Sequence, residues 1–125
     1  MATAYQHISV EKRKDVWIVR MRSFRMLEPD LVEMGDEVVG LIEDRGCRKL
    51  VFCLGPGDVA CLYSVFLAKL VMIRRHLLGV GGALRIAEAS ENTQNVFRSC
   101  DLDKILSFVP EIDTAVAELD KIAVV

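Results

Sequence analysis

Short apolar runs that alternate with helix-like segments constrain this chain more than any other feature. Lys49–Leu54 has the length and apolar character of a strand buried on both faces, and Ala83–Ala87 is predicted as the next strand. The segment between them, from about Leu62 to Leu78, has the length and spacing of a helix and ends at glycines. Strands joined through a helix pair in parallel with a right-handed crossover. The middle of the chain therefore predicts a parallel sheet.

The flanking segments extend this pattern. Tyr5–Glu11 and Val16–Arg22 are separated by a charged turn and predict an opening hairpin. The other predicted elements are helices from about Pro29 to Asp44, from Ser90 to Ser99 and from Pro110 onward, and a short strand over Ile105–Val109. The order ββαβαβαβα predicts a single α/β domain over residues 1–125. We expect a mixed, mostly parallel sheet of about five strands, with about four helices mainly on one face.

Composition and charge exclude several classes of function. The chain has 125 residues and a net charge of −2, which argues against a general nucleic-acid binder. The amino terminus lacks the pattern of a signal peptide. The longest apolar stretch, Val65–Ile73, is interrupted by Lys69 and is too short for a membrane span. We therefore expect a cytoplasmic protein that binds neither nucleic acid nor membrane.

Cysteine and histidine usage predicts neither a metal site nor a cofactor. The chain has four cysteines without a CxxC pair, and two histidines. We interpret the cysteines as reduced thiols. Cys61 precedes a helix, where a thiolate is favoured, but no histidine is near it in sequence. His7 has no partner in view, and His76 suits the end of a helix.

No catalytic motif is present. The sequence has no Walker A, GxGxxG, HExxH or GxSxG pattern. The glycines at 79–82 lie between a helix and a strand, whereas a phosphate-binding loop runs from a strand into a helix. The sequence therefore predicts no catalytic residue and a protein that is not an enzyme.

The helix that begins near Leu62 carries the strongest functional signal. Its outer side is poor in charge for a face in solvent, which suits contact with a protein partner. The low charge of this side would be explained equally well if another part of the same chain covered it. The predicted partner-binding residues are Asp58, Cys61, Tyr63, Ser64, Val65, Ala68 and Met72.

Ser64 lies in the first turn of that helix. A phosphate there adds about −1.5 to −2 charge, which the positive end of the helix dipole tolerates. An apolar partner surface would have to desolvate the dianion. Phosphorylation of Ser64 would therefore switch binding off without refolding the domain, although a capping role also suits a serine at this position.

Several runs resemble the STAS domain, the family of bacterial anti-sigma factor antagonists and of cytoplasmic domains of sulphate transporters. Lys49–Leu54 is similar to the family's central strand, and Tyr63–Leu70 to its signature of Asp-Ser-Ser-Gly-Leu followed by a helix. Gly82–Ala87 and Val96–Val109 are similar to the elements that follow.

The resemblance implies a fold and a mode of regulation. In the antagonists, the first serine of the signature is phosphorylated by a kinase that is itself the anti-sigma factor, and aligning on Leu67 places that serine at Ser64. Tyr63, Val65 and Phe66 stand where the family has an acidic residue, a second serine and a glycine. The first interpretation is a signal-transduction module that binds an anti-sigma factor or serine kinase and so regulates transcription. The second is a degenerate STAS domain that acts as a phosphorylation-independent scaffold or homodimer. A small-molecule or nucleotide sensor is a third.

Overall fold

A mixed sheet with its strands in sequence order forms the centre of the molecule. The computed structural model describes residues 5–61 and 64–122. The strands are β1 (Ile8–Arg13), β2 (Val16–Met21), β3 (Lys49–Cys53), β4 (Ala83–Ala87) and β5 (Phe108–Val109). β1 and β2 are antiparallel, whereas β2, β3, β4 and β5 pair in parallel in the order β1-β2-β3-β4-β5. The predicted sheet, with its hairpin and parallel core, is confirmed.

The helices cover the two faces of the sheet unequally. They are α1 (Glu28–Arg45), α2 (Ser64–Gly79), α3 (Glu91–Ser99) and α4 (Ile112–Asp120). Leu50 and Phe52 of β3 belong to the large core formed with α1, α2 and Phe97 of α3. Val51 and Cys53 point the other way, into a smaller core with α4. Three helices thus lie on one face and α4 on the other, which confirms the prediction of helices mainly on one face.

The segment between α3 and α4 differs from the sequence prediction. The strand expected over Ile105–Val109 is reduced to Phe108–Val109, and a 3₁₀ helix, Leu102–Lys104, precedes it. The backbone N–H groups of Ile105 and Leu106 donate to the carbonyl of Leu102 at 3.2 and 2.9 Å. Because those donors are used locally, they are not available to the sheet. α4 begins at Ile112 rather than at Pro110.

The cysteines are free thiols, as the sequence predicted. Cys47, Cys53 and Cys61 are buried and Cys100 is exposed. Burial raises the pKa of Cys47 to about 12, so this thiol stays protonated. Among the described residues, no helix is long and apolar enough to cross a membrane.

Two glycines near the end of α2 provide a matched test of packing against β3. A Cβ added at Gly82 would lie 2.1 Å from the carbonyl oxygen of Arg48, whereas one at Gly79 would have nothing within 4 Å. We expect Gly82→Ala to lower the free energy of unfolding by about 1–3 kcal/mol, because backbone must move. Gly79→Ala should change it by less than about 0.5 kcal/mol. Urea denaturation checks both values, and equal effects would contradict the close approach.

Candidate functional site

The candidate site lies where the parallel strands end. The carboxyl ends of β2, β3 and β4 share one edge of the sheet, because Arg20 pairs with Cys53 and Cys53 with Ala87. Such edges, with the loops that follow, are the common location of sites in α/β folds. Here the loop of residues 54–61, called the β3–α2 loop below, leaves β3 and leads toward α2. It packs closely on the end of β4, since a Cβ on Gly55 would lie 2.5 Å from the carbonyl oxygen of Glu88.

Asp58 ties the β3–α2 loop to the start of α3. Its carboxylate accepts hydrogen bonds from the hydroxyl of Ser90 and, at 3.1 Å, from the side-chain amide of Asn92. Ser90 is also the N-cap of α3 and accepts from the backbone N–H of Thr93 at 3.1 Å. The hydrogen bonds from Ser90 and then Asn92 lower the pKa of Asp58. An exposed loop is thereby held against a helix end by a charged acceptor.

Two backbone N–H groups of the same loop also donate hydrogen bonds, one to α3 and one to the segment between β2 and α1. The N–H of Val59 donates to the hydroxyl of Thr93 at 3.3 Å, and Thr93 is fully buried. The N–H of Ala60 donates to the carbonyl of Phe24, in the segment between β2 and α1, at 2.9 Å. The β3–α2 loop is thus attached to α3 on one side and to the 22–27 segment on the other.

The described start of α2 presents a small, uncharged surface to solvent. Ser64 and Ala68 are exposed, and the first turn contains no acidic residue. Val65 and Met72 are half-buried rather than exposed, and Val65 packs against the main core. A homodimer of the degenerate type would use the exposed parts of these two side chains, and each is only partly accessible. Ser64, Ala68 and the exposed side of Met72 form what we call the α2 surface.

Lys69 belongs to the helix interface rather than to the outer side of α2. A Cβ on Gly35 of α1 would lie 2.7 Å from the Cδ of Lys69, so the lysine stem packs across that glycine. The absence of a side chain on Gly35 allows α1 and α2 to approach closely. The stem of Lys69 therefore contributes apolar contact to the packing of α1 against α2.

One predicted partner-binding residue, Cys61, is buried. Cys61 is 1% exposed, so its side chain lies beneath the loop and cannot contact a partner directly. Burial raises the pKa of its thiol, which disfavours the reactive thiolate considered from the sequence. Tyr63 lies outside the described residues.

A contact at the edge of the sheet had no signal in the sequence. The Sγ atom of Cys53 lies 3.3 Å from a guanidinium nitrogen of Arg20 and 3.3 Å from a carboxylate oxygen of Glu88. Burial is the main cause of the raised pKa of Cys53. The neutral thiol thus lies between a carboxylate and a guanidinium at the ends of three strands. These three residues are far apart along the chain, so the sequence does not reveal the contact.

Both histidines have carboxylate partners. His7 Nε2 lies 2.8 Å from a carboxylate oxygen of Glu33, and His76 Nδ1 lies 3.1 Å from one of Glu43. The sequence showed no partner for His7, because sequence distance does not reveal that α1 returns beside the start of β1.

Comparisons with known proteins support the fold. Neither a protein-family model nor a curated protein sequence matches the chain. Among solved structures, it is similar to an anti-sigma-factor antagonist (STAS) domain protein from Planctomyces limnophilus, with a TM-score of 0.79, 15% identity, and coverage of 91% of this chain and 98% of the other. An anti-sigma factor antagonist from Mycobacterium paratuberculosis matches with a TM-score of 0.72, 20% identity, and coverage of 91% and 93%. The phosphorylated form of the Bacillus cell fate determinant SpoIIAA matches with a TM-score of 0.66, 13% identity, and coverage of 89% and 97%. The chain has the STAS fold, as its sequence predicted.

The buried hydroxyl of Thr93 is expected to stabilise the β3–α2 loop. Thr93→Val keeps the shape but leaves the N–H of Val59 without its acceptor, which should cost about 1–3 kcal/mol. Hydrogen exchange at the amides of Val59 and Ala60 should accelerate, and urea denaturation gives the energy. Thr114→Val, at an exposed position of α4, is the control and should change neither. Unchanged protection at Val59 would contradict the role of Thr93.

The bonds to Asp58 predict a pH dependence of the loop. Because the folded-state pKa of Asp58 is lowered, the contacts to Ser90 and Asn92 are present above the unfolded value of 3.8 and are lost as the pH falls through the folded value. An NMR titration should find the Asp58 carboxyl midpoint below 3.8. In Ser90→Ala combined with Asn92→Ala, it should return toward that value. A midpoint unaffected by the double substitution would contradict the network.

Proposed function

We propose that this chain is a non-catalytic regulatory module that binds a protein partner through the β3–α2 loop and the α2 surface. The partner class is an anti-sigma factor or serine-kinase-type protein, and phosphorylation of Ser64 switches the contact off. The support from known proteins is the shared fold with anti-sigma factor antagonists.

One observation carries the proposal: an uncharged surface that is accessible and firmly positioned. Ser64 and Ala68 are exposed beside a loop that Asp58, Val59 and Ala60 attach to α3 and to the 22–27 segment. A preorganised surface loses little conformational entropy on binding, so more of its contact energy appears as affinity. Small and apolar side chains also suit the desolvated centre of an interface.

The position of Ser64 supports the switch. It is the first residue of α2, where backbone N–H groups lack helical partners and the helix dipole is positive. A phosphate there would be tolerated by the domain, so the fold would remain. The same dianion would oppose association, because an apolar partner surface cannot solvate it. SpoIIAA, which has a similar fold, is known as a structure in its phosphorylated form.

The arrangement of the histidines supports a role without catalysis. His7 pairs with Glu33 and His76 with Glu43. Among the described residues, no hydrogen bond joins either imidazole to a serine or cysteine, which is the pairing that an activated nucleophile needs. Burial also keeps the thiol of Cys61 protonated.

Site-specific crosslinking tests the surface. A photoreactive amino acid at Ala68 should capture a protein with a serine-kinase domain in cells of the source organism, whereas one at Ala117, an exposed alanine of α4 on the other face of the sheet, should not. Mass spectrometry identifies the adduct. Equal capture from both positions, or none from Ala68, would contradict the proposed surface.

A glutamate at Ser64 tests the switch. Ser64→Glu should reduce the Ala68 adduct by at least about tenfold, because even a few kcal/mol of desolvation has that effect. Ser107→Glu, an exposed serine just before β5, is the matched control and should leave the adduct unchanged. Incubation of the purified partner, ATP and the wild-type chain should add one phosphate at Ser64. An adduct that survives Ser64→Glu, with no phosphate at Ser64, would reject the switch and favour a phosphorylation-independent scaffold.

A further inference from the structure

His7, Asp30 and Glu33 bring three metal-binding side chains together at the start of α1. One ligand atom from each lies within 4.8 Å of the other two, and His7 Nε2 is 2.8 Å from a carboxylate oxygen of Glu33. Asp30 and Glu33 are three residues apart on one helix, so they lie on the same face. His7 comes from the segment before β1, so the group joins two parts of the chain.

The donor atoms and their spacing suit a divalent transition metal of intermediate softness. Zinc accepts both imidazole nitrogen and carboxylate oxygen as ligands, and its open sites have three protein ligands with a water in the fourth position. Ligand atoms about 2.1 Å from a zinc ion lie roughly 3.4 Å from one another in that geometry. The observed separations, from 2.8 Å to at most 4.8 Å, bracket this value. Mg²⁺ and Ca²⁺ fit less well, because they prefer oxygen ligands only.

The backbone of His7 is held in position by contacts that involve none of the three ligand groups. The carboxylate of Glu37, one turn along α1, accepts from the backbone N–H groups of Gln6 and His7 at 2.7 and 2.9 Å. The carbonyl of His7 accepts from the N–H of Arg22 at 2.9 Å, which extends the pairing of β1 with β2. The side chain of His7 is only 14% exposed. These contacts fix the backbone from which the imidazole extends toward Glu33.

The charge around the group favours a cation. Asp30, Glu33 and Glu37 are acidic, and α1 has no lysine or arginine before Arg45. Among the described residues, the ion pair of Glu33 is with His7, and neither Asp30 nor Glu37 forms a salt bridge with a lysine or arginine. The positive end of the α1 dipole offsets part of this charge, but that effect is small beside two carboxylates.

We propose that His7, Asp30 and Glu33 bind one zinc-like divalent metal ion, which links the segment before β1 to the first turns of α1. The site is separate from Ser64 and the α2 surface, and it does not rest on the proposed partner. Its failure would leave the proposed function unaffected.

Titration of the tag-free, chelator-treated full chain with Zn²⁺ tests the proposal. A Cys100→Ser background removes the exposed thiol as a competing ligand. Isothermal calorimetry should show one Zn²⁺ per chain, with half-saturation at or below about 10 µM. Zn²⁺ should also raise the melting temperature, whereas Mg²⁺ at the same concentration should not.

Conservative variants assign the ligands. His7→Gln, Asp30→Asn and Glu33→Gln should each weaken Zn²⁺ binding by at least about tenfold. His76→Gln and Asp36→Asn, which change the other histidine and an exposed acid of α1, are the matched controls and should bind as the parent does. Each variant is compared with its own metal-free melting temperature, so that loss of the His7–Glu33 pair is not mistaken for loss of metal.

NMR of the imidazole nitrogens gives a readout that does not depend on stability. The chain has two histidines, and His76→Gln leaves the signals of His7 alone. Zn²⁺ should shift the Nε2 resonance of His7, because that nitrogen faces Glu33. Absence of saturable binding, or binding that the three ligand variants leave unchanged, would overturn the proposal. In the parent chain, which keeps both histidines, a Zn²⁺ response at His76 alone would also overturn it.

Discussion

Burial of β3 on both faces is the constraint on which the rest of the structure depends. All five of its residues are buried, with Leu50 and Phe52 in the core under α1 and α2, and Val51 and Cys53 in the core under α4. A strand in that position must be paired on both edges, and β2 and β4 provide parallel partners. The loop after β3 must therefore emerge at the same edge as the ends of its neighbours. The position of the candidate binding surface follows from this packing.

The β3–α2 loop shows how a partly exposed segment can be held in place by its contacts with other elements. Asp58 remains in solvent, yet its carboxylate bonds to the residues that begin α3. Val59 and Ala60 use their backbone N–H groups on Thr93 and Phe24. Two separate parts of the chain, the start of α3 and the 22–27 segment, thus determine the position of one loop. A surface of this kind can keep its shape while the charge at Ser64 changes, which is what a phosphorylation switch requires.

The proposed metal site lies at the same edge of the sheet. Ile8 of β1 pairs with Met21 of β2, so the start of the antiparallel strand lies beside the end of its neighbour. His7 and the first turns of α1 meet there, and the carbonyl of Phe24, between β2 and α1, accepts the bond from Ala60. A cation that orders the start of α1 would therefore stiffen a segment that also supports the β3–α2 loop.

Local sequence patterns determined the elements and their order. The apolar runs at Lys49–Leu54 and Ala83–Ala87, and the spacing within α2, depend on neighbours along the chain, so hydrophobic periodicity was sufficient to predict them. The same spacing placed Ser64 and Ala68 on one side of α2, but only the structure shows that these two residues are exposed. Only the tertiary structure decided which residues of different elements are in contact. It placed Lys69 across Gly35, Cys61 beneath the loop, and His7 against Glu33. These contacts join residues on different elements, and their distances depend on how helices pack on the sheet, which periodicity within a single element does not encode.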